Sequence, residues 1–210
     1  MENPTNVVHG APIRVEPVQA RSTARVNALL DAAAMTMHEF GYEQLTTAMV
    51  AERANASIGT VYRYFPDRIA VLQSIAARNL ERLTASLRAS LKDRGPSTLT
   101  EAADVLVDTL VEMFRSEKGF RSLRVGDVLD IRPVSAGRGG NAEVAAVFRD
   151  YLHEKLGIKL DSDGRLACET AVDVVDALLA RAFLHSDRGD QTLIAEAQRM
   201  AHCAIEEPTS

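Results

Sequence analysis

The sequence predicts an all-α protein of about nine helices, and three observations carry that expectation. Apolar residues recur at i, i+3, i+4 spacing in almost every window between turn signals. No segment alternates apolar and polar residues with the period of two that a half-buried strand requires, and no internal repeat is present. Breakers such as Gly41, Pro66, Gly95-Pro96 and Gly157 fall at intervals that suit helices. The 210 residues, 46% hydrophobic and 25% charged, are enough for a real core in one domain, or in a small and a larger subdomain.

Residues 1–20 carry Pro4, Pro12 and Pro17 without periodicity, and are expected to form a flexible arm. A first helix is expected over about 22–40. Val26, Leu29, Leu30, Ala33, Met37 and Phe40 share one face, Ser22 or Thr23 caps the start, and Gly41 ends it. A short helix follows over 46–53, with Thr46 as N-cap and Met49, Val50 and Ala54 inward. Asn55-Ala56 makes a tight turn. Ser57 caps a third helix, 57–64, anchored by Val61 and Phe65, and Pro66 stops it. Asp67 caps a long fourth helix with the stripe Leu72, Ile75, Ala76, Leu80, Leu83, Leu87 and Leu91.

After Gly95-Pro96, Ser97 or Thr98 caps a fifth helix bearing Leu99, Ala102, Ala103, Leu106, Leu110, Met113 and Phe114. A shorter sixth is expected over 120–129. Residues 133–141, with Gly137, Gly139 and Gly140, read as the clearest loop. A helix over 142–156 turns Val144, Val147, Phe148, Tyr151 and Leu152 inward, and residues 161–164 read as a turn. Two last helices are expected over about 165–186 and 189–205. In the first, Val172, Val174, Val175, Ala177, Leu178, Leu179, Ala182 and Phe183 cover nearly the whole circumference, which predicts burial on more than one side.

Composition excludes several classes. No run of about 18 apolar residues is present, so no transmembrane helix is expected. Residues 1–17 lack the apolar region of a secretory signal. Cys168 and Cys203 are too few for a disulfide framework or a Cys-rich zinc site, and a reducing cytoplasm is the simplest compartment. Five scattered histidines (His9, His38, His153, His185, His202) show no metal-ligand spacing, so no metal or other cofactor is expected. No GxSxG, no Ser/His/Asp order and no carboxylate pair suggests catalysis. The Gly-rich stretch at 137–140 follows no strand and so is no phosphate cradle. The net charge is −5, unevenly spread. Residues 1–94 hold 11 Lys+Arg against 9 Asp+Glu (+2), and residues 95–210 hold 13 against 20 (−7). A mildly basic first half on an acidic body permits a DNA-facing part.

Two short helices joined by a tight turn after a longer one form a helix-turn-helix unit. The second must be short, apolar on its inner face and small or polar outward, to lie in a major groove about 12 Å wide. Gly59 and Thr60 are small enough for close approach. Tyr62, Arg63 and Tyr64 are within reach of phosphates or base edges. Both tyrosines also have the bland reading of half-buried core aromatics. Thr46 and Thr47, at a helix N-terminus, suit a phosphate. Arg14, Arg21 and Arg25 are either a minor-groove arm or a solvated tail.

Residues 22–72, above all 45–68, resemble the DNA-binding region of the tetracycline-repressor (TetR) family. The string T-x-x-x-V/I-A-x-x-A-x-x-S-x-G-T-x-Y-x-Y/H-F is met by Thr46, Val50, Ala51, Ala54, Ser57, Gly59, Thr60, Tyr62, Tyr64 and Phe65. The resemblance implies a bacterial, homodimeric, ligand-responsive transcription regulator rather than an enzyme. Its expected partners are double-stranded DNA, a small-molecule effector and a second copy docked through the helices near 165–186 and 189–205. The expected organisation is the arm (1–20), a DNA-binding domain (21–66) and a ligand-binding and dimerisation domain (67–210). The expected DNA contacts are Thr46, Thr47, Ser57, Gly59, Thr60, Tyr62, Arg63, Tyr64 and Arg68. Two positions depart from the family: Asp67-Arg68 where it often has Lys, and Arg63 where it commonly has an aromatic or small residue. Arg68 can serve on phosphate, and Arg63 either reads a guanine or contacts phosphate.

Candidate effector residues are Leu83, Leu87, Met113, Phe114, Phe120, Leu123, Phe148, Tyr151, Asp176 and Phe183, although apolar residues at helical spacing are usually ordinary core. Asp176 stands out, because a carboxylate on an otherwise apolar helix needs a partner or a ligand. An Arg or the dimer seam is the plainer explanation. The alternatives to a repressor are a ligand-dependent activator, or an all-helical binding or enzymatic domain whose helix-turn-helix is only structural.

Overall fold

The computed structural model describes residues 20–125 and 140–206. They form nine helices and, among the described residues, no strand. These are α1 (Ala20–Phe40), α2 (Thr47–Arg53), α3 (Ile58–Tyr64), α4 (Arg68–Arg94), α5 (Leu99–Ser116), α6 (Phe120–Val125), α7 (Gly140–Leu156), α8 (Ser162–Ala182) and α9 (Gln191–Glu206). The chain divides into two compact units: Met1–Asn79 with Lys118–Gly137, and Leu80–Glu117 with Arg138–Ser210. The division falls inside α4 rather than at residues 66 and 67, and it returns α6 to the first unit. The reason is packing: Val71, Leu72 and Ile75 of α4 belong to the first unit's core, and Leu123 of α6 packs against it. The expected arm up to residue 19, the expected end of the sixth helix at 126–129 and the loop residues 133–139 lie outside the described residues.

In the first unit, α1 starts at Ala20, so Ser22 and Thr23 sit within it rather than capping it. Val26, Leu29, Leu30, Ala33 and Met37 are buried as their spacing requires. Phe40, expected on the same face, is 46% exposed. It is the last helical residue, and the chain turns at Gly41 in the left-handed region (φ +83°). The short helices begin on side-chain caps. Thr46 accepts from the Met49 N–H at 3.2 Å, and Ser57 accepts from the Thr60 N–H at 3.1 Å. Between them Asn55 takes φ 47°, which Asn tolerates better than most residues. Val61 and Phe65 are fully buried. Asp67 accepts from the Ala70 N–H at 2.8 Å and opens α4.

The expected single stripe on α4 holds for Leu83, Leu87 and Leu91, but residues 70–75 and 77–79 are all buried. The polar groups there need partners. Ser74 donates back to the Ala70 carbonyl at 2.8 Å, and Arg78 donates to Asp31 at 2.7 Å and to the Leu30 carbonyl at 3.3 Å. The α6 turn meets α1 closely: Gly119 has φ +78°, and a Cβ there would lie 3.3 Å from the Ala34 Cα.

In the second unit, Thr98 caps α5 by accepting from the Glu101 N–H at 3.1 Å. Glu101 accepts in turn from the Ser97 N–H and hydroxyl, both at 2.8 Å, which holds its carboxyl below the ordinary range. Asp161 caps α8, accepting from the Gly164 N–H at 2.9 Å. Residues 162–164, expected as a turn, are therefore the first turn of a helix; a turn-type sequence has served as a cap. α8 ends at Ala182, and α9 begins at Gln191 behind Asp190, which accepts from the Thr192 N–H at 2.8 Å. Gly189 (φ +77°) makes the corner, where a Cβ would meet the Phe183 ring at 2.7 Å. α8 packs chiefly on α9, α5 on α9, and α7 on α8. Phe114 and Phe183 stack with ring centroids 5.1 Å apart. Polar links join the same helices: His202 with Asp104 at 2.8 Å and Arg149 with Glu169 at 3.0 Å. Within a single chain, α8 buries one face. Val172, Val175 and Leu179 are inside, whereas Val174 and Leu178 are half-exposed and Ala177 is exposed. No helix of the described residues is long and apolar enough to cross a membrane.

Candidate nucleic-acid interface

α3 has seven residues and little freedom in how it distributes them. Val61 and Tyr64 turn inward, Ser57 and Thr60 close the first turn with their hydroxyls 2.9 Å apart, and Gly59, Tyr62 and Arg63 remain on the outer face. A Cβ at Gly59 would meet nothing nearer than the Ser57 Oγ at 3.8 Å, so internal packing does not demand glycine there. Tyr62 is 44% exposed, and its hydroxyl accepts from the half-buried Thr47 at 3.3 Å, which ties the start of α2 to the outer face of α3. Thr46 is exposed and engaged as a cap. Ile58, which was not among the expected contacts, is exposed at the start of α3.

The two tyrosines separate. Tyr64 is only 7% exposed, with its hydroxyl 3.4 Å from that of Ser22, so its ring belongs to the core. The arginines separate too. Arg53 is paired with Glu39, which holds that carboxyl below its ordinary range and raises the guanidinium above its own. Arg68 donates to the Glu43 carbonyl at 2.6 Å and so clamps the turn between α1 and α2. Arg63 and Arg25 are exposed and, among the described residues, make no ion pair or hydrogen bond.

The expected effector residues do not form one group. Leu83, Leu87, Met113, Phe114, Phe148 and Phe183 are buried in the second unit. Phe120 and Leu123 belong to the first, with the Arg124 guanidinium 4.7 Å above the Phe120 ring. Tyr151 donates to the Pro96 carbonyl at 3.1 Å. Asp176 is half-buried and accepts from the Asn141 amide at 3.4 Å, which also donates to Asp173 at 2.8 Å. One partner of Asp176 is thus an Asn of α7. A cavity of about 10 Å³ between Leu99, Leu152, Leu160, Gly164, Ala167, Cys168 and Ile205 has room for about one water and touches none of the ten. Burial pushes the Cys168 thiol up to about 11, so it is no ready nucleophile, while Cys203 is exposed. Among the described residues no His/Cys/Asp/Glu grouping suits a metal ion.

Capped short helices that present a small and cationic face, followed by a larger helical body, define the class of helix-turn-helix transcription regulators. Comparison with known proteins narrows it. Residues 29–75 match "Bacterial regulatory proteins, tetR family", and residues 97–207, more than half of the chain, match "Tetracyclin repressor-like, C-terminal domain". The chain belongs to the TetR family of transcriptional regulators, which are non-enzymatic.

The HTH-type transcriptional repressor KstR of Mycolicibacterium smegmatis is 41% identical over 69 residues, 32% of this chain and 34% of that one. The chain thus matches only about a third of that repressor's length. A TetR-family regulator from Streptomyces coelicolor has a TM-score of 0.72 at 29% identity, with 88% of this chain and 99% of that one covered. FadR of Bacillus subtilis, in complex with stearoyl-CoA, has a TM-score of 0.62 at 17% identity over 86% and 97% of the two chains, a likeness of fold alone.

Proposed function

We propose that the protein is a homodimeric repressor that binds a palindromic operator in the cytoplasm and leaves it when a small molecule binds the helical body. The observation that carries this reading is the outer face of α3, where Gly59 is unobstructed and Arg63 has no described partner. Arg63 is the residue for a guanine edge. Tyr62 and Thr47, whose hydroxyls lie 3.3 Å apart, are the pair for phosphates, and Thr46, Ser57 and Thr60 are the further candidates. Tyr64 and Arg68 act by holding the fold. Dimerisation is supported by the uncovered side of α8, where Leu166 is 63% exposed, Val174 and Leu178 are half-exposed and Ala177 is exposed. A small-molecule effector is supported by the stearoyl-CoA carried by FadR in the same fold.

Selection from random duplex DNA, followed by titration of the winner at several salt concentrations, tests the reading. A palindromic winner with a steep salt slope is expected. Arg63→Ala should weaken it about 10- to 100-fold, the worth of one bidentate base contact, without changing the oligomeric state. A winner without symmetry, or Arg63→Ala at wild-type affinity, contradicts the proposal.

A further inference from the structure

Ile58 is the first residue of α3 and is 44% exposed. The fold does not call for it. Val61 and Tyr64 anchor the helix, and Ser57 caps it through the Thr60 N–H. A β-branched residue is also a poorer helix former than Ala, Lys or Gln, any of which an exposed position would accept. One exposed apolar side chain is ordinary on a protein surface; what sets Ile58 apart is its place. At about 100° per residue, Gly59 stands at the middle of the outer face of α3, opposite Val61 and Tyr64. Ile58 and Tyr62, one turn apart and equally exposed, form one flank, and Arg63 forms the other. Ile58 thus borders the point at which the backbone of α3 comes nearest to a groove floor, and the opening residues of a recognition helix are those that reach base edges.

The base edges of a major groove present hydrogen-bonding groups, with one apolar exception, the C5-methyl of thymine. An isoleucine laid on any other edge would strip water from a donor or acceptor and return nothing. We propose that Ile58 is a specificity-determining residue that fixes a thymine in each half-site by seating its side chain on the C5-methyl. Polar readout is left to Arg63 on the opposite flank. The assignment rests on the reading of the chain as a regulator that meets duplex DNA through α3.

The test is made on the duplex that the wild type selects, resynthesised with uracil for thymine at one position at a time in both half-sites. That exchange removes a methyl and keeps every hydrogen-bonding group. Affinities are measured for the full-length wild type, Ile58→Val and Ile58→Ala, with thermal melting of each chain. At one position the wild type should lose about fourfold per half-site, the worth of one methyl no longer buried, and so about 10- to 20-fold in all. Ile58→Ala should bind the thymine duplex about as weakly as the wild type binds that uracil duplex. It should be indifferent to the exchange and melt as the wild type does. Ile58→Val should keep part of the sensitivity. A wild type indifferent to every exchange overturns the assignment, as does an Ile58→Ala chain as sensitive as the wild type at the same position; either leaves the regulator reading standing. A wild type that selects no duplex defeats that reading, and the assignment falls with it.

Discussion

α3 has seven residues and α8 has twenty-one, and the two helices assign roles to their residues in different ways. A seven-residue helix is unstable alone. It exists because Ser57 caps it and because Val61, Tyr64 and Phe65 are buried. Once those duties are met, the remaining positions are the outer face, so Ile58, Gly59, Tyr62 and Arg63 are identified by elimination. In α8 many more apolar positions share the same work, and none is identified by what is left over. Local constraint makes the outer face of α3 legible, whereas an apolar body singles out no residue.

The largest expected effects come from emptying each core. Phe65 and Phe183 are both 0% exposed, and truncating either to Ala should cost about 3–5 kcal/mol in urea denaturation. Phe65→Ala should also abolish duplex binding, while Phe183→Ala should leave the affinity of the folded fraction near wild type. Equal loss of affinity in both would dissolve the contrast between the units.

Two glycines sharpen it. Gly189→Ala places a Cβ 2.7 Å from the Phe183 ring at a positive φ and should destabilise by about 1–3 kcal/mol. Gly59→Ala meets open space within a helix, so its melting temperature should hold or rise while duplex affinity falls. A drop in melting temperature for Gly59→Ala would mean that the residue serves the fold.

Ser57→Ala, which removes the α3 cap, should cost about 1 kcal/mol in the same denaturation assay.

The smallest effect is chemical. A thiol reagent should label Cys203 in the native protein and reach Cys168 only on unfolding. The folded state prefers the neutral Cys168 thiol. Its contribution to stability is complete below the ordinary value of 9.0 and is lost as the pH rises through about 11. Rapid native labelling at both positions would show that the second unit opens readily.

The order and type of the helices were legible because apolar spacing, caps and breakers agreed. Tyr64 was legible in principle: it lies three residues after Val61, on the same face, while Tyr62 lies on the other. The cores that take Phe120 and Leu123 were not legible. Periodicity says that a residue is inward and not which interior receives it; α6 meets α1 just after Gly119, whose φ is positive.

The first unit is not continuous in the chain. Gly119 lies on Ala34 and Met37, and Leu123 packs against the core formed by α1 to α4, yet both follow the whole of α5. An exchange of reading heads between such regulators, by recombination or by design, therefore cannot be made with one cut. A graft of residues 1–79 alone would leave Met37 and Ala34 without their cover, and a viable hybrid has to carry the segment around Gly119 as a second, separate insert.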